Sequence, residues 1–363
     1  MKILLCSPIV GVSNTNPGGI AVWLKNILYK YQQNPQGIEI DIQSCDRKKY
    51  INENTNSFKR IYHGIVDYFS IINDIRKKIK NKKYDIIHLC STASLSLIKD
   101  YIIFKIAKRN GIQTIIHFHF GRIPQLIKQN NSEWKLLKKI VEKADKVIVI
   151  DNKSYIALSQ IGYKHIFNIA NPISTDVQKI VEENSFNRIP RRILFASRVF
   201  RKKGIYELVE ACKTIPNIKL RVVGHVDDID KTELLKIANY ENWIEFIGGV
   251  SHEEVIKELL QCDIYTLPTY TEGFPNAILE SMATGTPTIT TPVGAIPEML
   301  NINNDPCGIC VTPKDVPSLR KAIITLIDND DMKKSLSAKS RERVNKLYSI
   351  DVVWNTLCDV WKI

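Results

Sequence analysis

Short apolar runs alternate with longer amphipathic stretches through the first half of the chain. KILLCSPIV (2–10), IEIDIQS (38–44), YDIIHLC (84–90), QTIIHFHF (113–120) and KVIVID (146–151) read as strands. Helical spacing occupies the intervals 20–33, 64–80 and 94–109. Strands that are apolar on both faces and separated by helices predict a parallel sheet covered on both sides. The second half repeats the plan with RRILFASRV (191–199), KLRVVGH (219–225), WIEFIGGV (243–250), DIYTLPT (263–269) and TPTITTP (286–292), without any fixed-period repeat. The polar stretch NPISTDVQKIVEENSFNRIP, near 172–190, carries a proline close to each end and reads as the connection between domains. The expected fold class is α/β: two doubly wound domains, 1–180 and 181–345, with a last helical segment, 346–363, packing back on the first. In such folds ligands sit outside the carboxyl ends of the strands.

Composition sharpens this picture in three places. A chain of 363 residues is long enough for two cores, and no run of about 18 uncharged apolar residues offers a membrane span. The opening apolar run reads as a buried first strand rather than a signal peptide. Eight scattered cysteines, with only Cys307 and Cys310 close together, read as reduced thiols of a cytoplasmic protein. The net charge of +13 is unevenly divided: residues 1–180 hold 28 Lys+Arg against 13 Asp+Glu, and residues 181–363 hold 23 against 25. The basic excess therefore belongs to the first half and suits an anionic partner there. DIRKKIKNKKY (74–84) and WKLLKKIVEKADK (134–146) set lysines beside apolar positions at helical spacing, the pattern of a helix resting on anionic lipid. Aromatic residues are not interleaved with these lysines as a nucleic-acid stacking platform requires, so nucleic acid is not an expected partner.

The densest chemistry lies in TEGFPNAILESMATG. It reads as a loop followed by a helix from about Asn276 to Gly285, with Gly273 and Pro275 shaping the entry. Amides of Asn276, Ala277 and Ile278 at the helix start suit a phosphate. Glu280, one turn on, suits a diol such as a ribose, and Glu272, just ahead of the helix, suits hydroxyls beyond the phosphates. A nucleoside diphosphate joined to a sugar satisfies all of these groups.

EGFPNAILE, followed by SMATGTP and GAIPE, resembles the glutamate–seven–glutamate signature of the family 4 glycosyltransferases, which have the GT-B architecture. ASRVFRKKG (196–204) resembles that family's strand and loop, so the resemblance assigns Arg198 and Lys203 to the donor diphosphate. WIEFIGGVSHEE places Gly249 and Val250 near the nucleotide base, and Phe274 belongs to the signature turn. In the first domain NPGG resembles the glycine-rich loop after strand one, with Gly18 and Gly19 approaching the diphosphate or acceptor. HFHF resembles the family's donor-sugar histidine; His119 is favoured, with His117 as the alternative, and no third metal ligand at suitable spacing accompanies the pair. Asn171, in IANPIS, and Arg122, in GRIP, are the acceptor-side candidates.

The resemblance implies a retaining transfer from a UDP- or GDP-sugar to a glycan or polyprenyl-diphosphate-linked acceptor in surface polysaccharide synthesis. The catalytic set would be His119, Glu272, Arg198 and Lys203. No Asp-x-Asp motif stands at a strand end, so neither a metal nor another cofactor is expected. The alternatives from the sequence are a nucleotide-sugar epimerase on the same architecture and a basic nucleic-acid-binding protein.

Overall fold

The computed structural model describes residues 1–9, 19–46, 57–92, 94–184 and 187–362, without the side chains of 57–63 and 65. These residues form two compact units, Met1–Asn171 with Val353–Ile363, and Pro172–Val352.

The first unit is built on six strands: β1 (Lys2–Ser7), β2 (Glu39–Ser44), β3 (Ile86–Ser91), β4 (Gln113–Phe118), β5 (Lys146–Val149) and β6 (Ile166–Asn168). They pair in the order β2-β1-β3-β4-β5-β6, every pair parallel. The period of two divides their side chains between two faces. Leu4, Cys6, Ile87, Leu89, Ile116 and Phe118 share one core cluster with Phe104, Leu137, Ile140 and Val141 from the covering helices. Ile3, Leu5, His88, Cys90, Ile115 and His117 take the other face and are also buried. That face is covered by helices Gly19–Gln33 and Ile350–Lys362, whose Trp23 and Trp361 rings contact His117 and His88 respectively. The run 353–362 belongs structurally to this unit although it lies at the far end of the sequence. Lys146 is tied to it through a 2.6 Å bond to the carbonyl of Val360.

The second unit carries β7 (Ile189–Ala196), β8 (Lys219–Val223), β9 (Ile244–Gly248), β10 (Cys262–Leu267) and β11 (Thr288–Thr290). After a small antiparallel ribbon of β12 (Asn301–Ile302) and β13 (Asp305–Pro306), β14 (Ile309–Cys310) completes a sheet of order β14-β11-β10-β7-β8-β9. The chain builds outward from β7 through β9 and then restarts on the other side with β10. β7 and β10 are therefore neighbours at the topological switch point, the place where such sheets form a crevice.

Three expectations are corrected. The stretch near 172–190 is not simply a linker: Ser174 caps a helix, Thr175–Glu183, whose Val177 is fully buried. The short edge strand β6 was not foreseen, because three residues carry too little periodicity to register. The helix Ser132–Lys143 does not present its apolar face to lipid: Trp134, Leu137, Ile140 and Val141 are buried in the first unit's core. Its Lys135, Lys138, Lys139 and Lys143 remain exposed. No helix among the described residues is long and apolar enough to cross a membrane.

Trp361 is 1% exposed and its indole N–H donates to His88 Nδ1 at 3.0 Å. Trp361→Ala empties a large buried volume and orphans that acceptor. Denaturant unfolding should show a loss of about 3–5 kcal/mol; a change below about 1 kcal/mol would show that the terminal helix does not hold this face.

Candidate active site

Two loops leave the carboxyl ends of β7 and β10 side by side. After β7 the chain runs through Ser197 and Arg198 into a short 3-10 turn, Arg201–Lys203. After β10 it runs through Pro268 to Pro275 and enters the helix Asn276–Ala283. The amide of Tyr270 and the hydroxyl of Thr269 both donate to the carbonyl of Lys202, which sews the loops together. Gly204 permits this: at φ +75 it lies so close to Pro268 that an added Cβ would stand 2.0 Å from the Pro268 carbonyl oxygen. The result places Lys203 Nζ 2.6 Å from Glu272 Oε1, both largely buried, at 22% and 12% side-chain exposure. Gly294 fixes the loop from the opposite side. An added Cβ there would meet the carbonyl oxygens of Glu272 and Gly273 at 2.4 and 2.6 Å, and the amide of Ala295 donates to the latter carbonyl.

The helix behind this loop starts where the sequence places it, with Pro275 in extended backbone at the N-cap and Phe274 buried against Tyr348. One detail differs: the Ile278 amide is not open to a ligand, because it donates to the Pro275 carbonyl at 3.1 Å as the first turn tightens. Asn276 and Ala277 remain at the helix start, half-buried. Glu280 faces the helix His252–Gln261, and its Oε1 lies 2.9 Å from His252 Nε2. The buried phenol of Tyr265 on β10 is pushed up by burial and then by the carboxylates of Glu280 and Glu272, which places both glutamates around it. Arg198 is exposed on the β7 loop, and Gly249 and Val250 follow β9 just ahead of His252. The structure thus gathers Lys203, Glu272, Glu280 and the start of the helix into one region of the second unit.

The first unit holds the remaining candidates. Gly18 lies outside the described residues, and Gly19 opens the helix Gly19–Gln33. His119 follows β4 directly and stacks on His117, ring centroids 3.9 Å apart, with Trp23 edge-on to both rings. Both nitrogens of each imidazole are buried without a hydrogen-bond partner among the described residues. Burial holds His119 down to about 3, with a smaller contribution from His88, so it is a neutral donor and acceptor rather than a cation.

The parallel register sets Cys90 opposite His117, and ligand atoms of His88, Cys90 and His117 lie within 4.8 Å of one another. Residue types alone would suit zinc. However, the Trp361 N–H occupies the lone pair of His88 Nδ1, which leaves the proton of the neutral ring on Nε2 and removes that atom as a ligand.

On the acceptor side, Arg122 spends its guanidinium on Glu133, at 2.6 and 3.0 Å, and on Ser94. Asn171 is buried at the end of the first unit's main segment. Sequence reasoning missed His252, although it stands within the quoted WIEFIGGVSHEE. It also missed His88, whose place two residues before Cys90 on a strand was a usable signal. A buried ion pair, Lys99–Asp100 at 2.7 Å with Ser91 donating to the carboxylate, carried no signal beyond two charges in a helix.

Two parallel-stranded Rossmann-like units of this kind are the GT-B glycosyltransferase architecture. The fold resembles sucrose-phosphate synthase of Thermosynechococcus elongatus with a TM-score of 0.77 and 19% identity, covering 99% of this chain and 98% of that one. It also resembles Anabaena HepE in complex with UDP-glucose, with a TM-score of 0.70, 16% identity and coverage of 100% and 99%. Residues 17–177 match the sequence family described as Glycosyltransferase Family 4, and residues 176–343 match that described as Glycosyl transferases group 1. The chain belongs to the family 4 glycosyltransferases and is an enzyme of that class. An uncharacterized glycosyltransferase of Methanocaldococcus jannaschii is 24% identical over 95% of this chain and 94% of its own length. The capsular polysaccharide biosynthesis glycosyltransferase CapM of Staphylococcus aureus is 29% identical over 171 residues, 45% of this chain and 43% of that protein.

The imidazole cluster has a measurable signature. Burial first, then neighbouring imidazoles, depress His117 well below its ordinary range, and burial holds His88 down to about 3 as it does His119. In the unfolded chain these groups titrate near 6.5. Above that value their neutral burial costs nothing extra. As pH falls from about 6.5 towards 3, the unfolded state takes up protons that the folded state refuses. Unfolding free energy should fall by roughly 3–4 kcal/mol between pH 6 and pH 5 if all three contribute. A flat profile from pH 7 to 5 would show that water reaches these rings.

Proposed function

We propose that this enzyme transfers a hexosyl group from a UDP- or GDP-sugar, with retention at the anomeric carbon, to a glycan or polyprenyl-diphosphate-linked acceptor in surface polysaccharide synthesis. The observation that carries the reading is the meeting of Lys203 with Glu272 beside the helix start and Glu280. In this reading Lys203, with Arg198 and the amides of Asn276 and Ala277, binds the donor diphosphate. The leaving group gains negative charge as the glycosidic bond breaks, and cations already in place stabilise it without reorganisation. Glu280 takes the ribose, Glu272 the hydroxyls of the donor sugar, and Gly249 and Val250 border the base. His119 is a neutral hydrogen-bonding group of the kind a donor-sugar hydroxyl needs.

Retention follows from attack on the face the phosphate leaves. The bond from the anomeric carbon to the phosphate oxygen breaks, the bond to the acceptor oxygen forms on the same side, and the departing phosphate oxygen takes the acceptor's proton. The protein then acts by positioning and electrostatics, with no covalent nucleophile, and a cationic pair serves where a divalent ion would otherwise be needed. The CapM similarity supports the polysaccharide setting, and the UDP-glucose bound by HepE supports a nucleotide-sugar donor. Membership of this family disfavours both the epimerase and the nucleic-acid readings.

Calorimetric titration with UDP, GDP and ADP in EDTA should give binding by one uridine or guanosine nucleotide, lost or strongly weakened in Glu280→Ala. Transfer from the matching sugar nucleotide should keep the donor's anomeric configuration. Absence of binding by all three nucleotides would overturn the donor-site assignment, and dependence on a divalent ion would overturn the role given to Arg198 and Lys203.

We also propose that the enzyme works on the cytoplasmic side of the membrane, held by electrostatic attraction alone. The exposed Lys135, Lys138, Lys139 and Lys143 support this. Sedimentation with phosphatidylglycerol vesicles should be strong at about 50 mM salt and largely lost near 500 mM, where the Debye length shortens to a few ångströms. Binding that persists at high salt would contradict a purely electrostatic attachment.

A further inference from the structure

Glu280 is held by a residue that no signature glutamate requires. Its Oε1 lies 2.9 Å from His252 Nε2, and a carboxylate only accepts, so this nitrogen carries the ring proton and donates. His252 is the first residue of the helix His252–Gln261, whose start is fixed by a reciprocal cap: Ser251 Oγ accepts from the Glu254 amide, and the Glu254 carboxylate accepts from the Ser251 amide and hydroxyl. Ile256, Leu259 and Leu260 bury the other side of that helix. The neighbouring polar groups of the first turn are otherwise engaged, Glu254 in the cap and Glu253 with Lys257. The imidazole therefore projects from an anchored backbone towards a carboxylate on a different helix.

The chemistry of this pair is asymmetric. One carboxylate oxygen is held and the plane of the group is set, which presents the second oxygen in a defined direction. Glu280 keeps 15% side-chain exposure and His252 keeps 50%, so the pair sits at a surface that a ligand can reach rather than inside the core. We propose that His252 is a positioning residue for the nucleoside end of the donor site: it orients Glu280 so that its second oxygen receives the vicinal hydroxyls of a ribose. The proposal rests on the donor-site reading above and adds to it a determinant of ribose over deoxyribose.

The test uses the full chain with UDP and GDP and their 2′-deoxy forms, measured by calorimetry on wild type, His252→Ala, His252→Gln, Glu280→Ala and the double variant. His252→Ala should weaken the ribonucleotide that wild type binds by about 5–20-fold and shrink the ribo-to-deoxy preference towards that of Glu280→Ala. The double variant should be no weaker than Glu280→Ala alone. His252→Gln, whose amide N–H can replace the ring donor, should restore most of the preference.

The outcomes separate the two claims. Failure of wild type to bind either nucleotide, or full binding by Glu280→Ala, sinks the donor-site reading together with this one. Weak binding by Glu280→Ala with wild-type affinity and preference in His252→Ala leaves the donor site standing and removes His252 from it. An equal loss for ribo and deoxy forms in His252→Ala, with the preference unchanged, also overturns the orienting role.

Discussion

The candidate site depends on the parallel pairing of β7 with β10, strands that begin more than 70 residues apart in the chain. Because the chain fills one side of the sheet before starting the other, the loops from these two strands emerge together. A short cationic turn meets a glutamate-bearing loop there, and Lys203 and Glu272 approach to 2.6 Å with little exposure. Partly buried charges of this kind are tolerated only when matched. The ammonium is thus oriented and compensated in the ligand-free protein. In the proposed donor site, an arriving diphosphate would meet a cation whose position is already set, the condition that electrostatic preorganisation requires. Gly204 and Gly294 are the geometric terms of this arrangement: a side chain at Gly204 would drive the two loops apart, and one at Gly294 would push into the Glu272–Gly273 backbone from the other side.

Much of the architecture was legible because parallel sheets write themselves as apolar runs. The five strands foreseen in each half all exist, most of them shorter than the apolar run that announced them, while β3, β7 and β10 each reach one or two residues beyond the expected range at one end. The features that escaped have physical reasons. β6 and β14 are three and two residues long and sit at sheet edges, too short for a periodic pattern. The helix Thr175–Glu183 buries only Val177 fully, so its sequence looks like solvated loop. The amphipathic helix Ser132–Lys143 shows how one pattern serves two settings: an apolar stripe flanked by lysines describes lipid contact and sheet packing equally well, and burial decides for packing.

The site was legible where its residues are close in sequence and obscure where the fold brings them together. The loop and helix around Glu272 and Glu280 form one continuous motif, and Arg198 and Lys203 stand in another. His252 was quoted within a motif and passed over, because only tertiary structure turns an exposed first-turn histidine into a partner for Glu280. The buried trio of His88, Cys90 and His117 shows the opposite limit. Alternation along β3 and β4 put these residues on one face, yet the hydrogen bond that settles the state of His88 comes from Trp361, 273 residues away.

That distant tryptophan also bears on the order in which the protein is made. The first unit's sheet is complete once β6 has been synthesised, yet one of its faces is covered only by Gly19–Gln33 until residues 353–362 leave the ribosome. In the interval the entire second unit is produced and has time to fold, since domains generally form as units during synthesis. Until then His88 lacks its contact with Trp361, and Lys146 lacks its carbonyl partner. A nascent chain stalled near residue 352 would carry a complete second unit joined to an unfinished first one. Synthesis of residues 353–362 thus closes a unit that began before the second one was made.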